Sequence, residues 1–218
     1  MIETRFSVRR DAEPYVVLQP TDMDALLDGA ADDPEQHLPY WAELWPSGIA
    51  LASAIMASPA ALSGKRVLEL GCGLGATAIA ALRAGADLIA ADYSPESLTL
   101  CRYNTLRNTG IEPVTVRLNW RQPGPELYAS AGDGFPIVLA ADVLYEARDI
   151  EPLLTLLDRI LAPDGMLWLA EPGRPPASRF LDAARSAGWE GPSSTDAGPW
   201  PDPKDDGVVV GVHRLRRA

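Results

Sequence analysis

The sequence predicts a doubly wound α/β fold, in which helices cover both faces of a mostly parallel, seven-stranded sheet that ends in an antiparallel edge strand. Two observations support this prediction. Short apolar runs alternate with segments of helical period from Gly64 to about Trp189, and such alternation is typical of parallel strands joined by right-handed crossovers. The 218 residues, of which 47% are hydrophobic, are also enough for one domain with a full core.

Five short apolar runs are the predicted parallel strands. They are Arg66–Leu70, Leu88–Ala91, Val114–Leu118, Ile137–Ala141 and Met166–Ala170. Other segments have apolar residues at a spacing of about 3.6, which predicts helices. These are Ala76–Ala84, Pro95–Asn108, Ile150–Leu161, Ala177–Ala187 and a helix that begins near Ser47 and runs into Ile49–Met56. Ser94 is a suitable N-cap before Pro95, and Gly110 follows the expected end of that helix.

The two ends of the chain have weaker patterns. Residues 1–40 alternate weakly between apolar and polar, which predicts a short hairpin followed by a mobile acidic arm over Asp22–Gln36. The stretch Gly191–Asp206 is rich in Pro, Ser and Asp and predicts a loop. After it, Val208–Leu215 is expected to form a last antiparallel pair, at one edge of the sheet, with the stretch near Trp189.

Composition excludes several classes of protein. No apolar run reaches the roughly 18 residues of a membrane helix, and Met1–Arg5 lacks the order of a signal peptide. The net charge of −11 argues against a nucleic-acid-binding surface, which needs basic side chains, and favours a cationic partner. Two cysteines and two histidines give neither a disulfide framework nor metal spacing. We therefore expect a cytoplasmic protein with no metal, membrane or nucleic-acid partner.

A glycine loop follows the first predicted strand. Gly71, Gly73 and Gly75 alternate with other residues directly before a helix. Glycines let the backbone turn sharply and approach a ligand closely, and the N-terminus of the helix offers free N–H groups. The loop alone leaves two cofactors open, since Gly71, Gly73 and Ala76 also satisfy the pattern of dinucleotide-binding proteins.

Polar residues stand at the ends of all five predicted strands, where ligands bind in open α/β sheets. They are Glu69, Asp92, Asn119, Asp142 and Glu171. Asp92 comes about 20 residues after Gly71, where a carboxylate can accept both ribose hydroxyls of either cofactor. Glu69 lies inside the first strand, where an acid suits a cationic ligand. With the tight turn predicted at Leu161–Gly165, these features favour S-adenosylmethionine over a nicotinamide cofactor.

The chain resembles the seven-β-strand, class I S-adenosylmethionine-dependent methyltransferases in its Glu69–Gly75 loop, Asp92 and the Leu161–Gly165 turn. More narrowly, Pro39–Gly48 and Asp142–Tyr145 resemble family 16, the lysine methyltransferase-like group. Two segments are most similar to the subgroup of that family that methylates the electron transfer flavoprotein β subunit. They are Glu171–Pro175 and Gly75–Ala81. Glu171 departs from that subgroup, in which we expect an aspartate.

This resemblance implies a single domain over residues 1–218, with the hairpin and arm in 1–46 and a Rossmann-like methyltransferase core in 47–218. It also implies the cofactor site. The three glycines would hold the methionine part of the cofactor, with Glu69 beside them, and Asp92 would hold the ribose. Asn119 and Trp120 would lie by the adenine, one at the base edge and the other as a stacking face. Trp45 would contact the cofactor pocket, because an indole face attracts the sulfonium cation.

The acceptor implied by the resemblance is a lysine of a protein partner, with a protein like the electron transfer flavoprotein β subunit as one candidate. Asp142, which we also count among the cofactor residues, would orient the incoming ammonium, and Tyr145 would supply an aromatic wall. A small-molecule amine or another protein side chain stays open as acceptor, and a non-catalytic methyltransferase-like binding protein stays open as a function. A nicotinamide oxidoreductase would need a second domain. The sequence leaves open whether Trp41, Glu171 and Arg174 touch substrate.

Overall fold

The computed structural model describes residues 1–8, 13–33, 35 and 37–218. In chain order its strands are β1 (Ile2–Phe6), β2 (Tyr15–Gln19), β3 (Arg66–Leu70), β4 (Asp87–Asp92), β5 (Val114–Arg117), β6 (Phe135–Ala141), β7 (Leu161–Glu171), β8 (Trp189–Glu190), β9 (Ser193–Asp196) and β10 (Val210–Arg217). Its α-helices are α1 (Met23–Ala30), α2 (Pro46–Met56), α3 (Ala76–Arg83), α4 (Pro95–Thr109), α5 (Pro125–Ala131), α6 (Ile150–Ile160) and α7 (Pro175–Ser186).

The main sheet has the order β5-β4-β3-β6-β7-β10-β8, and β9 also pairs with β10. Strands β3 to β7 are parallel, and β10 runs antiparallel to β7. The predicted α/β class, parallel strands and antiparallel edge are therefore confirmed. The strand order reverses between β3 and β6, so a crevice opens at the carboxyl ends of these two strands, which is where α/β sheets bind ligands.

At the far edge of the sheet, two short strands pair with the same neighbouring strand, β10, one after the other along its length. β8 and β9 pair with successive stretches of β10, and Gly191 lies between them. A Cβ at Gly191 would come within 1.8 Å of the carbonyl oxygen of Arg214, so the chain crosses β10 too closely for any side chain. The sheet thus has eight strands rather than the predicted seven. The loop predicted over Gly191–Asp206 is wrong at Ser193–Asp196, which forms β9.

Helices cover both faces of the sheet because successive residues of its strands point to opposite sides. Val67 joins a core with α2, α3 and α4, whereas its neighbour Leu68 joins a second core with α6 and α7. The predicted helices are present within two residues at each end, and Ser94 caps α4 by accepting a hydrogen bond from the backbone N–H of Ser97. Helix α5 was not predicted. No helix in the described part of the chain is long and apolar enough to cross a membrane.

The turn predicted at Leu161–Gly165 lies inside a strand instead of before it. Phe135 pairs with Leu161, but Ile137 pairs with Met166, so the intervening residues bulge out of β7. Gly165 permits this bulge, because a Cβ there would lie 2.8 Å from the carbonyl oxygen of Phe135. A tight turn is therefore present at the predicted residues, where Gly165 packs against the backbone of Ala162, but it interrupts β7 instead of preceding it.

The N-terminal hairpin is present as β1 and β2, and it is joined to α4 by two amide side chains. Asn108 accepts a hydrogen bond from the N–H of Val16 and donates one to its carbonyl oxygen, at 2.9 and 2.8 Å. Asn104 does the same to Leu18, at 2.7 and 3.1 Å, and donates to the carbonyl oxygen of Leu74 in the glycine loop at 2.9 Å. The hairpin is thereby bonded to the helix that supports the glycine loop.

The acidic stretch predicted as a mobile arm contains a helix. Asp22 caps α1 by accepting a hydrogen bond from the N–H of Ala25 at 3.0 Å, and Asp24 stands in its first turn, where an acid favours the helix dipole. Pro34 and Gln36, which the prediction also covered, lie outside the described residues. The arm prediction missed that these acids serve as a cap and a first turn.

Candidate active site

A cavity of about 370 Å³ opens at the carboxyl ends of β3, β4 and β6. Its floor comes from the glycine loop and the strand ends, and its roof comes from described residues of the ranges 26–33 and 37–45, which include the end of α1. Predicted site residues that line the cavity are Trp45, Gly71, Gly73, Asp92, Trp120, Asp142 and Tyr145. Trp41 also lines it, whereas Glu69, Gly75, Asn119, Glu171 and Arg174 are not part of its lining.

Two glycines of the loop come close to the cavity, and the third has a different reason to be glycine. Gly71 has a φ of 68°, and a Cβ there would lie 2.9 Å from Cγ1 of Val143. Gly73 has a φ of 50° and lies against the backbone of Trp41. Gly75 begins α3 in the left-handed conformation, and a Cβ there would lie 3.1 Å from Sγ of Cys101. Gly75 therefore permits close packing of α3 on α4.

Two buried carboxyl groups lie next to this loop. Asp92 accepts hydrogen bonds from the N–H groups of Gly73 and Ser94, at 2.9 and 3.0 Å, but burial still raises its pKa. Glu69 is 2% exposed, and no described donor reaches its Oε2. Burial, reinforced by the charge of Asp92, raises the pKa of Glu69 well above its usual range. An unpaired buried carboxylate is costly, so in the absence of a donor Glu69 is held in its neutral, protonated form.

Of the two residues predicted to lie by an adenine, only Trp120 reaches the cavity. Trp120 is buried, and its Nε1 donates a hydrogen bond to Asp149 at 2.9 Å. Asn119 is turned away, because its amide donates to Glu35 at 3.2 Å and its Oδ1 accepts from the N–H of Arg121 at 3.0 Å. Asn119 thus contacts the segment that forms the roof.

Asp142 has both of its carboxylate oxygens engaged. Oδ1 accepts a hydrogen bond from Nε of Arg174 at 3.0 Å, and Oδ2 accepts one from the Ser47 hydroxyl at 3.3 Å. Asp142 has a φ of 55°, and among the described residues it is the one non-glycine residue with a positive φ. That conformation is uncommon for a side-chain-bearing residue, and such residues cluster at functional sites.

Three aromatic side chains line the cavity beside Asp142. The ring of Tyr40 meets the rings of Trp45 and Tyr145 edge to face, with centroids 6.2 and 5.1 Å apart. Burial is the main cause that raises the pKa of the Tyr145 phenol, so the hydroxyl stays neutral. Two cations lie over the ring of Trp45, with Arg174 at 5.6 Å and Lys204 at 5.8 Å from its centroid. Aromatic faces and a carboxylate together suit a cationic side chain.

The sequence analysis missed how the roof is attached. Tyr93 donates a hydrogen bond to Asp33 at 2.6 Å, and its ring stacks on His37 at 4.1 Å between centroids. Arg121 forms ion pairs with Glu35 at 2.8 Å and with the buried Asp149 at 2.6 Å. Each partner lies many residues from the other in the chain, so no local pattern could have indicated these contacts.

Glu171 supports the loop before α7 and does not face the cavity. It accepts a hydrogen bond from the N–H of Gly173 at 2.6 Å and lies 3.3 Å from Nε2 of His213. Burial opposes ionisation of Glu171, but the contacts with His213 and Gly173 prevail and lower its pKa. Glu171, which is longer than the aspartate expected at this position, therefore reaches His213 of β10. Arg174, which follows Gly173 in the same loop, reaches Asp142.

Comparison with known proteins decides the family. The family model described as lysine methyltransferase matches residues 39–186. The chain belongs to this family. Membership confirms the predicted resemblance, and with it S-adenosylmethionine as the cofactor.

The relatives include the electron transfer flavoprotein β subunit lysine methyltransferases of Danio rerio and Rattus norvegicus. The first is 32% identical over 139 residues, which cover 62% of this chain and 51% of the relative. The second is 35% identical over 143 residues, which cover 63% and 52%. A histone-arginine methyltransferase, METTL23 of Xenopus laevis, is 30% identical over 135 residues, 59% of this chain and 56% of the relative. The chain thus matches about half the length of these relatives.

Solved structures show the same fold at low sequence identity. A putative RNA methyltransferase, PH1948 of Pyrococcus horikoshii, has a TM-score of 0.61 at 17% identity and covers 91% of this chain and 100% of its own. The magnesium protoporphyrin IX methyltransferase of Synechocystis, solved with bound S-adenosylmethionine, has a TM-score of 0.60 at 14% identity, covering 91% and 98%. At such identities the likeness concerns the fold alone.

Proposed function

We propose that this chain transfers a methyl group from S-adenosylmethionine to the side-chain amine of a protein lysine. The observation that carries the proposal is the position of Asp142. Asp142 lines the same cavity as the glycine loop and as the mutually packed rings of Tyr40, Trp45 and Tyr145. The named activity of two relatives, which are 32% and 35% identical over 62% and 63% of this chain, supports a lysine acceptor.

We assign one part of the cavity, the cofactor half, to Gly71, Gly73, Asp92 and Trp120. The two glycines line the cavity with bare backbone, and the positive φ of each is one that glycine adopts without strain. Asp92 would accept the ribose hydroxyls, and the ring of Trp120 would flank the base. Glu69 is buried beside the glycine loop and outside the cavity lining, and we assign its unpaired Oε2 to the ammonium group of a cofactor that settles into this loop. When bound, the cofactor supplies a methyl group activated by its sulfonium.

We assign the other part, the acceptor half, to Tyr40, Trp45, Asp142 and Tyr145. We place Trp45 here because its ring already holds two cations. Asp142 would bind and orient the lysine ammonium, and the aromatic rings would exclude water. A free lysine with a pKa of about 10.4 is neutral in roughly one molecule in 2,500 at pH 7, so delivering the neutral amine costs about 4–5 kcal/mol. Burial between rings and the nearby sulfonium lower that cost because both disfavour the charged form, whereas Asp142 acts in the opposite direction by favouring the ammonium.

The partner that fits this site is a protein with an exposed lysine in basic surroundings. The net charge of −11 attracts such a surface and speeds its encounter. A protein like the electron transfer flavoprotein β subunit is the partner that the relatives suggest. We place this reaction in the cytoplasm, and fractionation of cells that express the tagged chain would test that location.

The decisive experiment is to incubate the enzyme with cell lysate and labelled S-adenosylmethionine, and then to map the label by mass spectrometry. We expect label on lysine residues of one or a few proteins. The rate should rise about tenfold per pH unit from pH 7 towards a lysine pKa lowered from 10.4, because only the neutral amine reacts. Label on arginine or only on small molecules would overturn the lysine acceptor, and no labelling at all would favour a non-catalytic binding protein.

A further inference from the structure

Arg174 occupies the place that an acceptor lysine needs. Its Nε donates a hydrogen bond to Asp142 at 3.0 Å, and its guanidinium lies 5.6 Å from the ring centroid of Trp45. A lysine ammonium bound in the acceptor half would need this carboxylate oxygen and this aromatic face. The other oxygen of Asp142 is taken by Ser47.

We infer that Arg174 fills the cation subsite of the acceptor half while no acceptor is bound, and that the acceptor lysine displaces it. This inference rests on the proposed function. It makes Arg174 a specificity-determining residue, because an acceptor must bind Asp142 more favourably than the chain's own guanidinium does. Neutral side chains cannot make that exchange, since Asp142 would lose its cationic partner and gain none.

The structure allows Arg174 to leave. Its side chain is 39% exposed, so the displaced guanidinium returns to water at little cost. It extends from the residue before α7, directly after Gly173, whose φ is 81°. Glu171 holds the backbone of this loop through the N–H of Gly173, so the side chain can move while the loop stays in place.

Contact with Asp142, and not mere nearness to the aromatic rings, defines this subsite. Lys204 is also close to the Trp45 ring, at 5.8 Å, but it is paired with Glu43 at 2.7 Å and Asp202 at 3.4 Å. The chain holds two lysines, the other being Lys65. Both serve as internal controls for a test in which an amine is placed on Asp142.

The test is the substitution Arg174→Lys. A lysine at this position carries its nitrogen one bond beyond the atom equivalent to Nε, within reach of Asp142 and Trp45. Transfer to this amine forms an N–C bond as the C–S bond breaks; the electron pair of the broken bond stays on sulfur and the amine releases a proton to water. We expect purified Arg174→Lys protein, given S-adenosylmethionine alone, to gain methyl mass at residue 174, at a rate independent of enzyme concentration.

The wild type and Arg185→Lys, an exposed position on α7 paired with Asp182, are the matched controls and should gain no mass. Methylation of Arg174→Lys at residue 174 alone supports the inference. Methylation at Lys204 or Lys65 instead, or none at residue 174 while lysate proteins are still labelled on lysine, overturns it and leaves the proposed function intact. If lysate lysines are not labelled either, the proposed function fails as well.

A second measurement needs no cofactor. Binding of n-butylammonium to the cofactor-free enzyme, followed by ligand-observed NMR, should tighten about three- to fivefold in Arg174→Ala, because a competing exposed ion pair is removed. For a protein that accepts the methyl group, KM should fall by a similar factor. Unchanged or weaker n-butylammonium binding, or a loss confined to kcat, would show that Arg174 supports Asp142 instead of competing for it.

Discussion

The cofactor half and the acceptor half share one cavity but are built by different means. In the cofactor half, backbone groups fix the side chains. Asp92 accepts hydrogen bonds from the N–H groups of Gly73 and Ser94 and is 8% exposed. In the acceptor half, side chains hold one another, as Arg174 holds Asp142, and one partner is open to water. Backbone contacts fix a site before its ligand arrives, whereas exposed ion pairs exchange readily. The difference fits one invariant cofactor and an acceptor that must enter and leave.

The largest effect should come from removing the acid of the cofactor half. Asp92→Ala should weaken S-adenosylhomocysteine binding by about a hundredfold or more, because two hydrogen bonds to a buried acceptor are lost, each worth about 1.5–3 kcal/mol. Isothermal calorimetry measures the change. Asp87→Ala, at the exposed start of the same strand, is the matched control and should bind normally. Undiminished affinity in Asp92→Ala would falsify the ribose assignment.

The next largest effect should come from Glu69→Gln, which we expect to stabilise the folded state and to weaken cofactor binding. Burial raises the pKa of Glu69, so the folded state disfavours its charge. Its stability contribution is therefore most favourable below the unfolded pKa of about 4.3 and worsens as pH rises towards the folded pKa. Glu69→Gln should raise the free energy of unfolding of the cofactor-free enzyme at pH 7 by about 1–3 kcal/mol, and by less at pH 4.5.

The same variant should bind S-adenosylmethionine more weakly, since it loses the carboxylate assigned to the cofactor ammonium. Denaturant unfolding at the two pH values and calorimetry measure both quantities. A variant that is less stable and binds equally well would show that Glu69 serves the fold alone.

A smaller effect should separate the acceptor half from the cofactor half. Asp142→Asn keeps the size of the side chain but removes its charge, so cofactor affinity should hold while methyl transfer falls at least about tenfold, or 1.4 kcal/mol in the barrier. Single-turnover kinetics with a labelled protein substrate, beside calorimetry, test this. Equal turnover in the two proteins would assign the carboxylate a structural role, such as fixing Ser47.

The smallest effect should come from the roof, which both halves share. Tyr93→Phe removes the hydrogen bond to Asp33 but keeps the ring that stacks on His37. One such hydrogen bond contributes about 0.5–1.5 kcal/mol, so cofactor affinity should fall a few-fold at most. Tyr103→Phe, on the exposed side of α4, is the control. A loss as large as that of Asp92→Ala would mean that the roof and the floor form one unit.

The two halves also differ in how far the sequence predicts them. Glu69, Gly71 and Gly73 lie in one short stretch, and the rule that ligands bind at the carboxyl ends of parallel strands brings Asp92 and Asp142 to it. These placements needed only local pattern and fold class. The strand bulge at Leu161–Gly165 and the split edge around Gly191 depend on a partner strand, so the sequence could not predict them.

Side-chain partners were harder to predict. Tyr93 and Asp33 gave no pattern of their own, and Tyr40 was indicated only as part of Pro39–Gly48, because their contacts join segments that are distant in the chain. Asn119 and Gly75 were placed at the right strand end and loop, but their side-chain direction and packing are set by Glu35 and Cys101. The acidic composition of residues 22–36 masked a helix cap, since the same aspartates are typical of solvated chain.

The two asparagines that bond the hairpin to α4 also fix its alignment. Four helical residues advance about 6 Å, and two strand residues advance about 6.7 Å, so Asn104 and Asn108 match alternate residues of β2. A hairpin shifted by one residue would present the wrong peptide groups to both amides and turn Tyr15 and Val17 out to solvent. Asn104 also donates to the carbonyl oxygen of Leu74, so one amide side chain bonds both β2 and the glycine loop. The strands β1 and β2 are thereby linked to the cofactor half, although none of their residues lines the cavity.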